Sequence, residues 1–272
     1  MTFSSYIKSI RQKGQRCFTL KQAMLDLGLS QNAALVAIHR LKSHGDLISP
    51  AKGLYVIVPP EYQLQGSIPA QDLVPILMNH LKVDYYVSLL SGAQYHGASH
   101  QKPGRFQIIA NIHNKHPLEF GQIKLEMVYK KSLSRLPIQD IIVSTGYLKV
   151  ATPELIAFDL LNYRNRCGGL NHIATVLSEL IEAIDADKLI QLAEIIGENA
   201  WLQRLGYILE QIDTMDPYGD EPKANQVTCK LQQYLNSRVP ALIALAPELP
   251  KIGAPRIKKW QIIANTEIES DL

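Results

Sequence analysis

The chain has 272 residues, of which 46% are hydrophobic and 19% charged, and a formal net charge of +3. This composition is ordinary for a soluble globular protein, and the length predicts two or three domains. The longest apolar stretches fall far short of the ~20 residues that a membrane helix needs, so we expect no membrane partner.

The N-terminus and the cysteines both indicate the cytoplasm. The first eight residues hold no long apolar run and no cleavage site of small residues, so we expect no signal peptide. Cys17, Cys167 and Cys229 are far apart, odd in number and without a CxxC pair. This usage is typical of reduced cysteines that serve as buried packing residues.

Residues 15–58 have the pattern of a winged helix-turn-helix. Thr19 is placed to cap a short helix over residues 21–27, and Ser30 to cap a second helix over residues 31–44. Glycines follow both helices and supply the turns that end them. Two capped helices joined by a tight turn are the core of this DNA-docking motif.

A hairpin follows the second helix. Its predicted strands cover residues 46–49 and 54–58, and its turn covers residues 50–53. Such a hairpin is the wing of a winged helix.

The second helix shows whether this motif can bind DNA. Four apolar residues gather on the side that we expect to pack inward: Ala34, Leu35, Ile38 and Leu41. On the other side, Arg40 can reach a guanine edge or a phosphate, and Val36 a thymine methyl. Only Arg40 is placed for a bidentate base contact, so specificity is modest or needs two copies on a repeated site. The predicted DNA-contacting residues are Thr19, Lys21, Gln31, Asn32, Val36, Arg40, Ser43 and Lys52.

The charge distribution favours nucleic acid as the partner of the N-terminus. Residues 1–60 contain eight Lys and Arg against two acidic residues, residues 61–150 nine against six, and residues 151–272 eleven against seventeen. A polyanion is therefore expected to bind at the basic N-terminus. The alternative is a winged helix that serves only as a protein-contact module.

The predicted fold class is α+β, with an N-terminal winged helix-turn-helix and a larger mixed C-terminal domain. In the C-terminal domain a small sheet precedes a helical bundle. The predicted limits are residues 1–60 for the winged helix, 61–69 for a linker and 70–272 for the large domain, divided into a sheet over 85–150, helices over 153–237 and a proline-rich tail over 239–272.

Periodicity predicts the elements of the large domain. Predicted strands include residues 85–88, 105–110, 123–129, 141–144 and 147–150, with one more at 260–263. Predicted helices are residues 70–81, 89–95, 153–163, 170–184, 188–196, 200–212 and 225–235.

Five short sequence segments within residues 3–212 together form a pattern that is found in a known protein family. They are Gly-Leu-Tyr-Val at 53–56, Tyr-Tyr-Val-Ser-Leu-Leu-Ser-Gly-Ala at 85–93, Val-Ala-Thr-Pro-Glu-Leu at 150–155 with Asp-Leu-Leu at 159–161, Cys-Gly-Gly-Leu at 167–170, and Arg-Leu-Gly-Tyr-Ile-Leu-Glu at 204–210. In this order the chain resembles the AbiEi-type antitoxins of type IV toxin–antitoxin (abortive infection) systems.

The resemblance implies a phage-defence protein that represses transcription of its own operon by binding the promoter DNA. It also implies that the C-terminal part counteracts a nucleotidyltransferase-type toxin without forming a stable complex with it. The family's DNA-binding helix maps onto residues 31–44 and its wing onto residues 46–58. It assigns no catalytic residue and no cofactor to this chain.

Arg204 and Tyr207 flank the apolar face of the helix predicted over residues 200–212. Gly206, between them, lets a neighbouring backbone approach closely. The two side chains are candidates for a partner-binding, antitoxin surface. The alternative is that Arg204 pairs with a carboxylate and Tyr207 packs with its hydroxyl in water.

A group of histidines is the candidate for a metal site. Four histidines lie close in sequence: His96, His100, His113 and His116. Two of them are four residues apart, as a helical metal site needs, but Gly97 between them is expected to end the helix. Solvated loop histidines are the favoured interpretation.

Two enzyme classes were also weighed. Asp185 and Asp187, after a Gly-Gly pair, loosely resemble a nucleotidyltransferase site, but helical periodicity makes Asp187 a helix cap instead. A metal-dependent nuclease would need a carboxylate and a lysine alternating on a strand, and Glu126 has no lysine two residues on, although Lys124 can pair with it. We therefore predict no enzyme, no metal and no cofactor.

Overall fold

A computed structural model describes residues 2–98, 103–114, 116–213, 223–238 and 240–268. The fold is mixed α/β, as predicted, and forms two compact units. Unit 1 comprises Met1–Tyr86, Gly104–Leu133 and Asp140–Lys149, and unit 2 comprises Val87–Pro103, Ser134–Gln139 and Val150–Leu272. No helix within the described ranges is long and apolar enough to cross a membrane.

Unit 1 begins with six elements that we call the N-terminal module. They are α1 (Phe3–Gln12), β1 (Cys17–Thr19), α2 (Leu20–Leu27), α3 (Gln31–Ser43), β2 (Leu47–Ala51) and β3 (Leu54–Ile57). The three strands form an antiparallel sheet in the order β1-β3-β2. The predicted helix pair and hairpin are therefore present, while α1 and β1 were missing from the predicted elements.

Both predicted N-caps of the module are present. The Thr19 hydroxyl accepts a hydrogen bond from the Gln22 amide, and the Gln22 side chain accepts one from the Thr19 amide, which completes a capping box. The Ser30 hydroxyl accepts from the Ala33 amide at the start of α3. Gly28 ends α2 with φ 64°, a left-handed conformation that glycine adopts without strain.

Aromatic rings fill the core of the module. Phe18 stacks on Tyr55 with 5.6 Å between ring centroids, and Tyr6 meets Phe18 edge to face at 5.6 Å. Ile38 of α3 and Leu47 of β2 are buried in the same cluster. Because these residues come from α1, β1, α3, β2 and β3, the cluster fixes α3 against the sheet.

The rest of unit 1 contains a helix and most of a six-stranded sheet. The elements are α4 (Ala70–Leu81), β4 (Tyr85–Val87), β5 (Phe106–Ala110), β6 (Leu118–Phe120), β7 (Ile123–Tyr129), β8 (Ile138–Val143) and β9 (Gly146–Ala151), with strand order β6-β7-β5-β4-β9-β8. β5 pairs in parallel and β6 antiparallel with β7. The predicted linker, residues 61–69, includes most of a 3-10 helix, Pro60–Gln65.

Unit 2 is largely helical. Its elements are α5 (Leu89–Gln94), α6 (Pro153–Asn162), α7 (Leu170–Leu180), α8 (Ala186–Ile196), α9 (Ala200–Asp213), α10 (Lys223–Asn236) and three two-residue strands, β10 (Ile243–Ala244), β11 (Arg256–Ile257) and β12 (Ile262–Ile263). Helix α6 is buried over Glu154–Leu161, so it forms the centre of the unit.

Two details of the helical part differ from prediction. The helix predicted over residues 170–184 ends at Leu180, and a 3-10 turn, Ile181–Ala183, follows it. The cap of α8 is Asp185 and not Asp187, since the helix begins at Ala186 and the Asp185 carboxylate accepts from the next two free amides. Asp187 instead pairs with Lys230 at 2.8 Å.

Candidate nucleic-acid interface

Helix α3 presents a polar face to solvent. At about 100° per residue, Asn32, Val36 and Ser43 lie within one narrow strip, with Arg40 beside it. All four side chains are exposed, and Val36 is 55% exposed. Gln31 is exposed at the first turn of the same helix. Five of the eight predicted DNA-contacting residues are therefore grouped on one helix.

The other three predicted contacts lie on neighbouring elements. Lys21 is exposed on α2, and Lys52 is exposed in the turn between β2 and β3. Thr19 differs from these, because its hydroxyl is already engaged in capping α2. Thr19 can therefore help DNA binding by fixing the start of α2, but its hydroxyl already makes the capping hydrogen bond.

The inward face of α3 is narrower than predicted. Ala34 and Ile38 are buried and Leu41 is partly buried against the core, whereas Leu35 is 38% exposed. The assignment of Leu35 to the packing face was wrong. It lies about 60° around the helix from Ile38, beyond the stripe that the sheet and α2 cover.

The basic side chains of the module are not neutralised by ion pairs. In the parts of the chain that the structure describes, Lys21, Arg40 and Lys52 pair with no carboxylate. Both acidic residues of the module are engaged away from α3: Tyr6 donates its hydroxyl proton to Asp26 at 2.9 Å, and the Gln63 amide donates to Asp46 at 3.0 Å. The positive charge therefore remains available to a polyanion.

Contacts outside the hairpin steady the wing. His80 Nε2, on α4, lies 3.2 Å from the carbonyl oxygen of Lys52, the distance of an N–H donating to that oxygen. Gly53 takes φ 75° at the turn, which a residue with a side chain adopts only under strain. The backbone at Lys52 is thus fixed both by the His80 contact and by the turn at Gly53.

Two exposed residues of α3 were missed by the sequence reasoning. His39 lies about 20° from Asn32 on the helical projection, on the side away from Ser43, and Lys42 lies at the edge opposite Arg40. Both are exposed, and both follow from the same periodicity that placed Arg40.

The second predicted surface, on α9, is mostly enclosed. Tyr207 is only 8% exposed, and burial raises the pKa of its hydroxyl. Arg204 Nε donates to the carbonyl oxygen of Ala244 at 3.1 Å, and burial together with the nearby Arg164 lowers its pKa. Little of either side chain is presented to a partner, so their role in an antitoxin surface stays a prediction.

The motif around Arg204 instead holds the C-terminal segment. The side-chain amide of Gln203 donates to the carbonyl oxygens of Ala241 at 2.9 Å and Trp260 at 3.0 Å. Trp260 lies against Gly206, where a Cβ would come within 2.1 Å of its ring, and its indole N–H donates to Glu210 at 2.6 Å. The close approach predicted at Gly206 is present, but a side chain and not a backbone makes it.

Other motif residues of unit 2 also have structural roles. The Ser88 hydroxyl donates to the Asp159 carboxylate at 2.8 Å, and both residues are fully buried. Gly92 packs closely on Ile156, whose side-chain carbons would lie 3.2 Å from a Cβ at that position. Such buried, satisfied polar pairs fix one arrangement of α5 on α6.

The described histidine and carboxylate candidates have other contacts or lie in solvent. His96 Nε2 lies 2.9 Å from the carbonyl oxygen of Ala151, and His113 stacks on Tyr129 at 3.5 Å. His116 is exposed, and His100 lies outside the described residues. Among the residues described, no group of three or more His, Cys, Asp and Glu side chains is placed to hold a metal ion.

The nuclease candidate Glu126 is buried in β7. It is 8% exposed and accepts a hydrogen bond from the Gln107 amide at 3.2 Å. Lys124 is exposed on the same strand. Glu126 thus has a hydrogen-bond partner inside the sheet.

Comparisons with known proteins match this architecture. Residues 86–211 match the family model described as the AbiEi antitoxin C-terminal domain. The chain is similar to the crystal structure of the RV2827C protein from Mycobacterium tuberculosis, with a TM-score of 0.65 and 16% identity over 95% of this chain and 89% of that one. This second likeness concerns the fold alone.

A further solved structure aligns with a smaller part of this chain. An antigenic nucleotidyltransferase-like protein from Paracoccidioides brasiliensis aligns with 41% of this chain and 73% of its own, at 12% identity and a TM-score of 0.30. No match was found among curated proteins.

Proposed function

The chain belongs to the AbiEi antitoxin family through residues 86–211, and from this premise we propose that it is an antitoxin that also binds DNA and represses its own operon. The observation that carries the DNA-binding part is the exposed face of α3. Among the described residues, Arg40 forms no ion pair there, and neither do Lys21 and Lys52 of the same module.

The proposed mechanism is promoter occlusion by a winged helix-turn-helix. Helix α3 enters the major groove, where Arg40 reads a guanine and Asn32 an adenine or a phosphate. Lys52 on the wing and Lys21 on α2 bind backbone phosphates, which set the register. Two molecules on repeated sites, one or more helical turns apart, supply the specificity that one α3 lacks.

The antidote activity is proposed to lie in the C-terminal domain, residues 70–272. The functional partner is a nucleotidyltransferase-type toxin, and the antidote acts without a stable complex. The support is the family match, which covers most of the helical bundle and none of the N-terminal module. The two activities are therefore separable by substitution.

A promoter–reporter fusion tests the repressor activity. The DNA upstream of the gene drives the reporter, with wild type, Arg40→Ala and Lys52→Ala supplied from a second plasmid. Lys251→Ala, an exposed lysine of unit 2, is the matched control. Wild type and the control should repress fully, and the two module variants should repress less. Full repression by both module variants would contradict the proposal.

Co-expression tests the antidote activity. A gene for a nucleotidyltransferase-type toxin is induced with and without the full chain, and growth is followed. The chain should restore growth, and Arg40→Ala should restore it equally, because α3 lies outside the family match. Continued growth arrest with wild type would remove the toxin assignment.

One observation favours a second candidate function for the module. Three apolar side chains are exposed on the helix pair: Leu25 at 72%, Val36 at 55% and Leu35 at 38%. Exposed apolar groups of this kind often mark protein contacts. A protein-contact module would bind no DNA at low salt and would co-purify with a protein partner.

A further inference from the structure

A cleft of about 400 Å³ opens on one side of the N-terminal module, within unit 1. Its walls come from the end of α1, from β1 and α2, and from Ile76 of α4 with Ser144 and Thr145 of the β8–β9 turn. This volume falls in the range of about 300–1,000 Å³ that small-molecule sites occupy. The cleft is separate from the exposed face of α3.

The floor of the cleft is apolar. Ile10, Phe18 and Leu54 line it, and each is at most 5% exposed, so they form a fixed surface. Cys17 also lines the cleft, and burial raises the pKa of its thiol, which keeps it neutral near physiological pH. An aromatic or aliphatic ligand body fits this floor.

The rim of the cleft is positively charged. Lys13 is exposed and Arg16 is half-buried, and among the described residues neither forms an ion pair with a carboxylate. Asp26 is the one carboxylate in the described lining, and it is already bonded to the Tyr6 hydroxyl at 2.9 Å. A half-buried guanidinium without a partner is the usual receptor for a carboxylate, sulfonate or phosphate.

From the apolar floor and the unpaired Arg16 and Lys13, we propose that this cleft binds a small organic anion, with the anionic group on Arg16 and the ligand body on Phe18 and Leu54. This inference goes beyond the proposed function. β1, α2 and β3 of the module line the cleft. The bound anion therefore contacts elements that share the hydrophobic core with α3.

The probe for the test is anilinonaphthalene sulfonate, which joins a sulfonate to an aromatic body and fluoresces when its rings leave water. It is titrated into the full-length protein, and uncharged phenylnaphthylamine is titrated in parallel. Saturable binding of one equivalent of the sulfonate, tighter than that of the uncharged analogue, is expected. Binding that does not saturate, or equal affinity for both probes, would overturn the proposal.

Variants locate the bound probe. Arg16→Gln and Lys13→Gln should each weaken binding about ten-fold, equivalent to about 1.4 kcal/mol. Ser144→Asp, at an exposed position of the lining, should weaken it through charge repulsion without touching Arg16. Lys8→Gln, an exposed cation of α1 outside the cleft, is the matched control and should change affinity less than about two-fold.

The proposal can still be tested if Arg16→Gln folds poorly, because two of the other substitutions are at exposed positions. Lys13 and Ser144 are exposed, so their substitutions are expected to preserve the melting temperature even if Arg16→Gln lowers it. Equal affinity for wild type, Lys13→Gln and Ser144→Asp would place the probe elsewhere and overturn the assignment. The probe titration does not measure DNA binding, so the two proposals are tested independently.

Discussion

Arg40 and Lys52 are both exposed cations of the N-terminal module, yet they are placed for different contacts. Arg40 lies beside the solvent-facing strip of a helix that fits a major groove, where a bidentate guanine contact discriminates by roughly 1–3 kcal/mol. Lys52 lies in the wing turn, and the proposed complex uses it to contact backbone phosphates.

Removing each of the two cations should therefore change DNA binding in a different way. Arg40→Ala should weaken binding and relax the preference at one base pair, because a base contact is lost. Lys52→Ala should weaken binding evenly across sequences. Competition with a panel of single-base variants of the operator measures both. Equal loss on every sequence for Arg40→Ala would remove its role as a base reader.

Gly206 is the residue on which the C-terminal segment depends most directly. A Cβ there would come within 2.1 Å of the buried Trp260 ring. Gly206→Ala should therefore lower the free energy of unfolding by about 1–3 kcal/mol, the usual cost of overpacking. Urea denaturation measures the change, and Gln191→Ala, at an exposed helix position, should cost less than about 0.5 kcal/mol. A cost for Gly206→Ala as small as that of the control would show that Trp260 does not pack there.

Among the helices, α8 shows how one cap stabilises an element. The Asp185 carboxylate accepts from the amides of Asp187 and Lys188, and the first of these bonds is the main cause of its lowered pKa. Asp185→Ala should lower the free energy of unfolding by about 1 kcal/mol near neutral pH, and Asp185→Asn should cost less, because asparagine also caps.

The cost of losing this cap should depend on pH. A carboxyl group whose pKa is lower in the folded state stabilises the protein above its unfolded pKa, and this contribution disappears as the pH falls through the folded value. The difference between wild type and Asp185→Ala should therefore shrink on acidification, as followed by urea unfolding at several pH values. A difference that is constant with pH would mean that the carboxylate does not cap α8.

Elements with strong local signals were predicted well. The caps at Thr19 and Ser30 and the strand Ile123–Tyr129 are present as predicted. Helix α1 was overlooked although Phe3, Tyr6, Ile7 and Ile10 have helical spacing. Strands β1, β6, β10 and β11 have two or three residues each, too few for a periodic pattern.

Pairings between distant segments could not be predicted from sequence. The order of the six-stranded sheet depends on partners such as Phe106 and Leu125, or Val87 and Val150, which no local signal connects. The same holds for the C-terminal segment: Gly206 indicated a close approach, but nothing in the sequence identified Trp260 as the group that makes it. Likewise the cleft beside β1 depends on the distant residues Ser144 and Thr145.

At the scale of the whole molecule, charge and family match divide the chain in the same way. Residues 1–60 carry eight Lys and Arg against two acidic residues, whereas residues 151–272 carry eleven against seventeen. The family match begins at Tyr86, after the basic module. The proposed DNA-binding role is therefore assigned to the module, and the domain limits at residues 60 and 70 remain a prediction.

The most direct test of this account is fluorescence anisotropy of the full-length protein on the DNA upstream of its gene, beside a shuffled duplex, across a salt series. The account predicts tighter binding to the native sequence and, for about six neutralised phosphates, a log–log salt slope near −5, at about −0.9 per contact. No binding to either duplex at low salt would contradict it and would leave the module as a protein-contact element.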